Sequence, residues 1–247
     1  QLLSDTEEAL RELTGELPVA PEILQEEIPL LKPEPTNLDE WVSVANQQNP
    51  LVLAATAAAE VAKQEIQVKN SGHYPSLDAT ADYSYLDNTF GGVLPLERND
   101  SAIGLELNIP IYQGGLVSSQ TRQSRYEYNQ AMEELTRQRR ATERQTRDNY
   151  RGVLAGIKRV EALYNAVLSN EKAVQAAEAG FEVGTRAIID VLNAQRDLLE
   201  ARRDYARSRY DYLLDTLELK QAAGTLSSED LAQVNNWLVE NNYTTTP

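Results

Sequence analysis

The stretch Ala179–Ala194, AGFEVGTRAIIDVLNA, interrupts two runs that otherwise read as long helices. Gly180 and Gly184 stand four apart, and glycine inside a helix costs roughly 1 kcal/mol relative to alanine. Thr185 follows as an expected N-cap, because its hydroxyl can accept from the free N–H groups of a new helix. The apolar run Ile188, Ile189, Val191, Leu192 then restarts the helical pattern. The chain therefore runs down one long helix, turns, and climbs back.

Upstream, Leu116 to about Ala179 holds no proline, and its only glycines are Gly152 and Gly156. That predicts one helix of roughly 95 Å at about 1.5 Å per residue. Tyr150, Val153, Ile157, Val160, Tyr164, Val167 and Val174 form a 3-4 seam of coiled-coil type. The segment Gln120–Arg147 is far more polar, with Ala131, Met132 and Leu135 as sparse apolar contacts. A helix so polar must face water over much of its surface. Downstream, Arg186–Ala223 reads as the return helix, with Ile188, Leu192, Leu198, Leu199, Ala201, Tyr205, Tyr212, Leu213 and Leu217 toward a partner. Gly224 ends it. Ser227 or Ser228 caps a short helix, Glu229–Val239, before the polar tail NNYTTTP.

Further out, the period changes. In Ser76–Leu86, Leu77, Ala79, Ala81, Tyr83 and Tyr85 alternate with Ser76, Asp78, Thr80, Asp82 and Ser84. In Ala102–Tyr112, Ile103, Leu105, Leu107, Ile109 and Ile111 alternate with Ala102, Gly104, Glu106, Asn108 and Pro110. Strict alternation marks strands. Each run has about the 9–11 residues of a tilted transmembrane strand. Asp87–Ser101 reads as the loop between them, and Pro110 fits a strand's last turn, where a ladder donor can be spared. A water-soluble hairpin with one buried face is the other reading, but two strands alone cannot hide such a face.

Before the strands, Asn37 or Asp39 caps a helix reaching about Asn70. Leu38, Trp41, Val42, Ala45, Leu51, Leu53, Ala54, Ala57, Ala58, Val61, Ala62 and Ile66 supply its apolar face. Pro50 kinks or splits it. Ser71–Pro75 is a break. Residues 15–37 hold Gly15, Pro18, Pro21, Pro29, Pro33 and Pro35, which forbid long regular structure. With Glu16, Glu22, Glu26, Glu27 and Glu34 they read as a solvated linker. The opening QLLSDTEEAL has neither a basic n-region nor an apolar h-region. It reads as a helix already under way, stopped by Gly15, and so as a fragment whose beginning is missing.

Composition sets outer bounds. The 247 residues suffice for one or two domains, and no apolar run is long enough to span a bilayer as a helix. There is no cysteine, so disulfides and thiolate metal sites are excluded. A formal charge of −15 argues against nucleic acid as a partner. It suits a solvated surface or a cation-attracting channel lining. Mean hydropathy is −0.49. Stacked end to end, the helices at 38–70 and 186–223 match the long helix in length. The irregular segments 15–37 and 224–247 are then expected to meet at the stacking point.

Several motifs together resemble one family. Tyr74-Pro75-Ser76-Leu77 precedes Leu107-Asn108-Ile109-Pro110-Ile111-Tyr112-Gln113-Gly114-Gly115. Gly180-Phe181-Glu182-Val183-Gly184-Thr185-Arg186 follows, then Asp190-Val191-Leu192. Ala206-Arg207, Tyr210-Asp211-Tyr212-Leu213, Leu219-Lys220 and Ala223-Gly224-Thr225-Leu226 complete the set. In order and spacing, from residue 1 to about 239, these are similar to the carboxyl-terminal half of TolC-type outer-membrane efflux channels.

The resemblance implies a mainly α fold with a membrane β-hairpin. It implies a homotrimer, in which two strands contribute to a 12-stranded transmembrane β-barrel. The long antiparallel coiled-coil hairpin contributes to a trimeric α-barrel. The implied divisions are 1–37, the end of a helix plus an irregular equatorial segment; 38–72, a periplasmic helix; and 73–113, the transmembrane hairpin with its external loop. Residues 114–223 follow as the long periplasmic hairpin with its tip at 180–187, and 224–247 as a C-terminal equatorial segment. Partners so implied are the lipid bilayer, a periplasmic adaptor (membrane fusion) protein and an inner-membrane pump of RND, ABC or MFS type, in tripartite efflux or type I secretion. The place implied is the outer membrane of a Gram-negative bacterium, with a large periplasmic part.

The resemblance also assigns residues. Gly180, Val183, Gly184, Thr185 and Arg186 match the adaptor-docking turn. Arg186 matches a basic residue that ties neighbouring hairpins shut. Asp190 matches the first of two carboxylates ringing the constriction in the family's namesake, and the second position is Asn193 here. One carboxylate ring, and weaker cation block, is therefore expected. Ala187 stands where the namesake has threonine. With the apolar strand positions toward lipid, Asp78, Asp82, Glu106 and Asn108 line the lumen. No catalytic constellation, cofactor motif or metal cluster is found, and His73 reads as a junction residue. The competing readings are a soluble or surface coiled-coil scaffold, motivated by the seam, and a periplasmic adaptor, which needs a lipoyl-like β domain.

Overall fold

The computed structural model describes residues 28–88 and 96–239, together with 5–6, 8–9, 11–12, 15 and 22–25. The expectations for Leu2, Leu3, Leu10, Leu13, Glu16, Pro18, Pro21, Glu26, Glu27 and the tail NNYTTTP lie outside these residues. The elements in order are β1 (Ile23–Leu24), α1 (Leu38–Gln48), α2 (Pro50–Asn70), β2 (Ser76–Asn88), β3 (Leu96–Asn108), α3 (Leu116–Glu182), α4 (Ile188–Ala223), α5 (Ser228–Asn235) and β4 (Leu238–Val239). They divide into two units, residues 54–138 and residues 1–53 with 139–247.

In the unit of residues 54–138, β2 and β3 pair antiparallel from Ser76 opposite Asn108 to Asn88 opposite Leu96. The register puts Leu77 opposite Leu107, Ala79 opposite Leu105 and Ala81 opposite Ile103. These apolar side chains share one face, since side chains alternate across a strand. The face is bare: Ile103 is 91% exposed. The strands differ from expectation at both ends. Pairing continues into 86–88 and 96–101, so the expected loop at Asp87–Ser101 shortens to residues 89–95, which lie outside the described residues. At the other end β3 stops at Asn108, leaving Ile109, Pro110 and Ile111 outside it. Proline has no N–H to give to a ladder, and the strand ends two residues before it.

The polar stretch of α3 carries a seam that hydropathy does not mark. Val117, Thr121, Ser124 and Leu135 are buried, on a 3-4 repeat continued by half-buried Tyr128 and Ala131. The Thr121 hydroxyl donates to the Val117 carbonyl at 2.9 Å. Its polar atom is thus satisfied within its own helix. Close helix packing is also prepared by Gly72, where a Cβ would lie 3.1 Å from Val117 Cγ2. In α2, Ala59 is buried and Ala62 half-buried, whereas Ala54, Ala57, Ala58 and Val61 are exposed despite their apolar character. Their expected burial is not found within this chain.

In the other unit, the helix expected over 38–70 is split at Asn49, which is buried. Its backbone N–H caps α1 on the Ala45 carbonyl. Its side-chain oxygen accepts from Leu51 N at 2.9 Å and Val52 N at 3.3 Å, capping α2. Its amide donates to the Ala222 carbonyl at 2.8 Å. Pro50 occupies the first helical position, where a missing N–H costs nothing. Leu51 and Leu53 point outward, and Val52 is buried instead. Asn49→Ala is expected to cost about 2–3 kcal/mol in urea unfolding, from a lost cap and an orphaned buried carbonyl. Asn49→Asp keeps the caps yet places a carboxylate against Ala222, and should rescue little.

The two irregular segments do meet. β1 pairs antiparallel with β4, and Gln25 N donates to the Trp237 carbonyl at 2.9 Å. Around this pair gather Leu24, Trp41, Tyr150, Val153, Tyr212 and Leu219, the centre of the core. Asn37 is the cap of α1, its side chain accepting from Asp39 N at 3.0 Å. The short helix ends at Asn235, not Val239, and Leu238–Val239 is the strand.

Residues 139–182 of α3 and all of α4 lie antiparallel. Arg202 meets Glu171 at 2.7 Å, and Gln195 donates to Glu178 at 3.2 Å. The expected seam is buried at Tyr150, Val153, Ile157, Val160, Val167 and Val174. Tyr164 departs from it: it is 49% exposed, its ring 5.6 Å from that of Tyr205, and Leu163 is half-buried in its stead.

Candidate functional site: the hairpin tip and the acidic strand face

The tip is built by a glycine at the end of α3. Gly184 has φ +75°, a conformation cheap only for glycine. Gly184 N donates to the Phe181 carbonyl at 3.0 Å and Thr185 N to the Gly180 carbonyl at 2.8 Å. This pair of bonds is a Schellman motif, which satisfies carbonyls the helix would otherwise leave open. It also corrects the expected cap. The Thr185 hydroxyl donates to Gly180 O at 2.9 Å, so it belongs to the end of α3. The N-cap of α4 is Ala187, which has no side-chain acceptor, and α4 starts at Ile188. Asp190 compensates by accepting from Ala187 N at 3.2 Å.

The expected tip residues are therefore brought together. Gly180, Val183, Gly184, Thr185 and Arg186 form one turn, and Val183 is 73% exposed. Arg186 folds over Gly180, whose absent Cβ would lie 3.0 Å from Arg186 Cγ. Asp190 and Asn193 follow on the first turns of α4, both exposed. A negative charge in a helix's first turn is favoured by the macrodipole.

The second set lies in the unit of residues 54–138. Asp78, Asp82, Glu106 and Asn108 share the face opposite the apolar one. Asp78 stands directly across from Glu106, a like-charged pair that weakens a hairpin. Gly104 faces Thr80 there, and a Cβ would meet its hydroxyl at 3.0 Å. Asp100, opposite Ser84, belongs to the same face. It was hidden by reading the strand from Ala102; the alternation carried back to Leu96 exposes it.

One further carboxylate has no periodic signal. Asp215 of α4 lies along Gly152 and Gly156, where a Cβ would come within 3.7 and 3.4 Å of its oxygens. Burial pushes its pKa up, Glu218 and Asp211 push it further, and Arg159 opposes them. A carboxyl raised on folding opposes folding once ionised. Asp215→Asn should therefore raise stability at neutral pH. The gain should shrink as pH falls into the carboxylate range, checked by thermal melts at pH 7 and 4.

Among the described residues no cluster of His, Cys, Asp or Glu is arranged to hold a metal ion, and no helix is long and apolar enough to cross a membrane. Residues 41–225 match the family model described as outer membrane efflux protein. The chain is 36% identical over 236 residues to the outer membrane protein TolC of Vibrio cholerae serotype O1, covering 94% of this chain and 54% of that protein. It is 35% identical over 247 residues to TolC of Escherichia coli, covering 96% and 50%. The open-state MtrE outer membrane channel of Neisseria gonorrhoeae shares the fold, with a TM-score of 0.68 at 17% identity, over 91% of this chain and 51% of that one. The chain thus spans about half the length of the curated relatives it matches.

Proposed function

The chain belongs to the outer membrane efflux protein family, and from that membership we propose that it is part of a passive outer-membrane exit duct, opened at its periplasmic tip by an adaptor. The observation that carries this is the β2–β3 hairpin. It has one exposed face that is apolar through Leu77, Ala79, Ala81, Ile103, Leu105 and Leu107, and one acidic face. A water-soluble scaffold has no use for such a face at bilayer-spanning length, so the scaffold reading is not favoured. An adaptor needs a domain of short strands, and none stands among the described residues.

In this proposal three copies of the full-length parent, each giving four strands of which β2 and β3 are two, close a 12-stranded barrel, with apolar residues toward lipid and Asp78, Asp82, Glu106 and Asn108 toward the lumen. Residues 73–113 cross the outer membrane and 114–223 extend into the periplasm. Such an acidic lumen favours cationic and zwitterionic solutes over anions. The turn Gly180–Arg186 takes the adaptor, and an RND, ABC or MFS pump in the inner membrane drives the cargo. Asp190 rings the constriction, flanked by Asn193 and Arg186. No enzymatic step is involved.

The test is conductance of the full-length parent in a planar bilayer. Discrete cation-preferring pores are expected. Folded protein that forms none would overturn the duct.

A further inference from the structure

A cavity of about 640 Å³ lies beside the core of the unit formed by residues 1–53 and 139–247. The segment 30–36 walls one side, α4 another, and α5 with Trp237 a third. That volume is within the range of small-molecule sites. We propose that this cavity is a binding site for an uncharged, apolar-bodied small molecule of drug size, independent of the duct reading above.

The wall is fixed in place. The Tyr212 hydroxyl accepts from Leu31 N at 2.8 Å and donates to the Leu31 carbonyl at 2.9 Å. Trp41 Nε1 donates to the Pro35 carbonyl at 2.7 Å, and the Tyr150 hydroxyl donates to the Thr36 carbonyl. The segment therefore cannot simply collapse into the space behind it.

The chemistry of the lining selects the ligand. Its interior polar groups are engaged with one another. Lys220 is paired with Asp230, whose carboxyl is held below the usual range by that ammonium. The Thr216 hydroxyl donates to the Tyr212 carbonyl at 2.9 Å. A buried water needs two to four polar partners, and few are left to offer. Lys32, Glu34, Thr36 and Gln233 also line it, and the rest is apolar, Leu30, Val153, Leu213, Val234 and Trp237 among them. The charged lining groups cancel, Lys32 and Lys220 against Glu34 and Asp230, so no net charge recruits an ion.

The chain has two tryptophans, Trp41 and Trp237, and both line this cavity. They make it observable. The purified protein is labelled with 5-fluorotryptophan, its resonances are assigned with Trp237→Phe, and the neutral dye N-phenyl-1-naphthylamine is titrated in. Both fluorine resonances are expected to shift and saturate at one equivalent. In Leu217→Phe/Val234→Phe, which plugs the space with two rings, the apparent Kd should rise at least tenfold while the melting temperature holds. Resonances that stay still would overturn the site. So would shifts that grow without saturation, dye merely partitioning into detergent, or shifts that survive the plug. Failure in the full-length parent alone would mean that the rest of that protein fills the cavity, which also overturns it. None of these outcomes bears on whether the protein conducts.

Discussion

Gly224→Ala is expected to destabilise the protein by about 3–5 kcal/mol, the range reserved for substitutions with a named structural conflict. Two conflicts coincide. Gly224 has φ +74°, which costs an L-residue roughly 1–2 kcal/mol. The added Cβ would also lie 2.4 Å from the Gln48 carbonyl oxygen and 2.8 Å from Asn49 Cα. Those are backbone atoms at the junction of α1 and α2, already pinned by the bond from Asn49 to Ala222. They cannot rotate aside as a side chain could. Gly184→Ala is the control: the same backbone conformation with nothing within 4 Å. It should cost only the conformational part. Urea unfolding of both variants measures the difference, and equal costs would show that the close approach does not matter.

The second large effect is functional. In the duct proposed above, Asp190→Asn is expected to weaken block by a trivalent cation at least tenfold, about 1.4 kcal/mol. The second position of the family's carboxylate pair is Asn193 here, so no second carboxylate is on hand to take over. Asp190 also accepts from Ala187 N, because α4 begins at a residue without a capping side chain. Asp190→Ala therefore removes a cap as well as a charge, adding roughly 0.5–1 kcal/mol of local destabilisation. Asparagine keeps an acceptor and loses only the charge. Equal half-blocking concentrations in the two variants, read in single channels, assign the loss to the charge and not to the cap. An unchanged value in both variants would place the constriction elsewhere.

Local rules read well in this sequence. The alternation at Leu77–Tyr85 and the glycines at 184 and 224 each act within a few residues, so the strands and helix ends they mark are found in the structure. What failed was competition for the same atoms. Thr185 is a good cap by composition, but its N–H and hydroxyl are both taken by Gly180. The hydroxyl seam of Thr121, Ser124, Thr142 and Thr146 was invisible because hydropathy counts an i−4-bonded threonine as polar. β1 and β4 are two residues each, too short to carry any period. For the tip and the acidic strand face, the sequence grouped the residues correctly but could not say which backbone groups hold them.

The clamp at Gly224 makes the paired stretch of α3 and α4 a lever. The base of α4 is wedged against backbone, and its tip end packs on α3, where Val191 and Ala177 are buried and Gln195 donates to Glu178. Over 36 residues it is about 54 Å long. A tilt of about 5° at the base therefore sweeps the tip sideways by about 5 Å, roughly half a helix diameter. Angular play too small to disturb the core at Leu219 and Ala223 becomes a displacement as large as a side chain at Asp190.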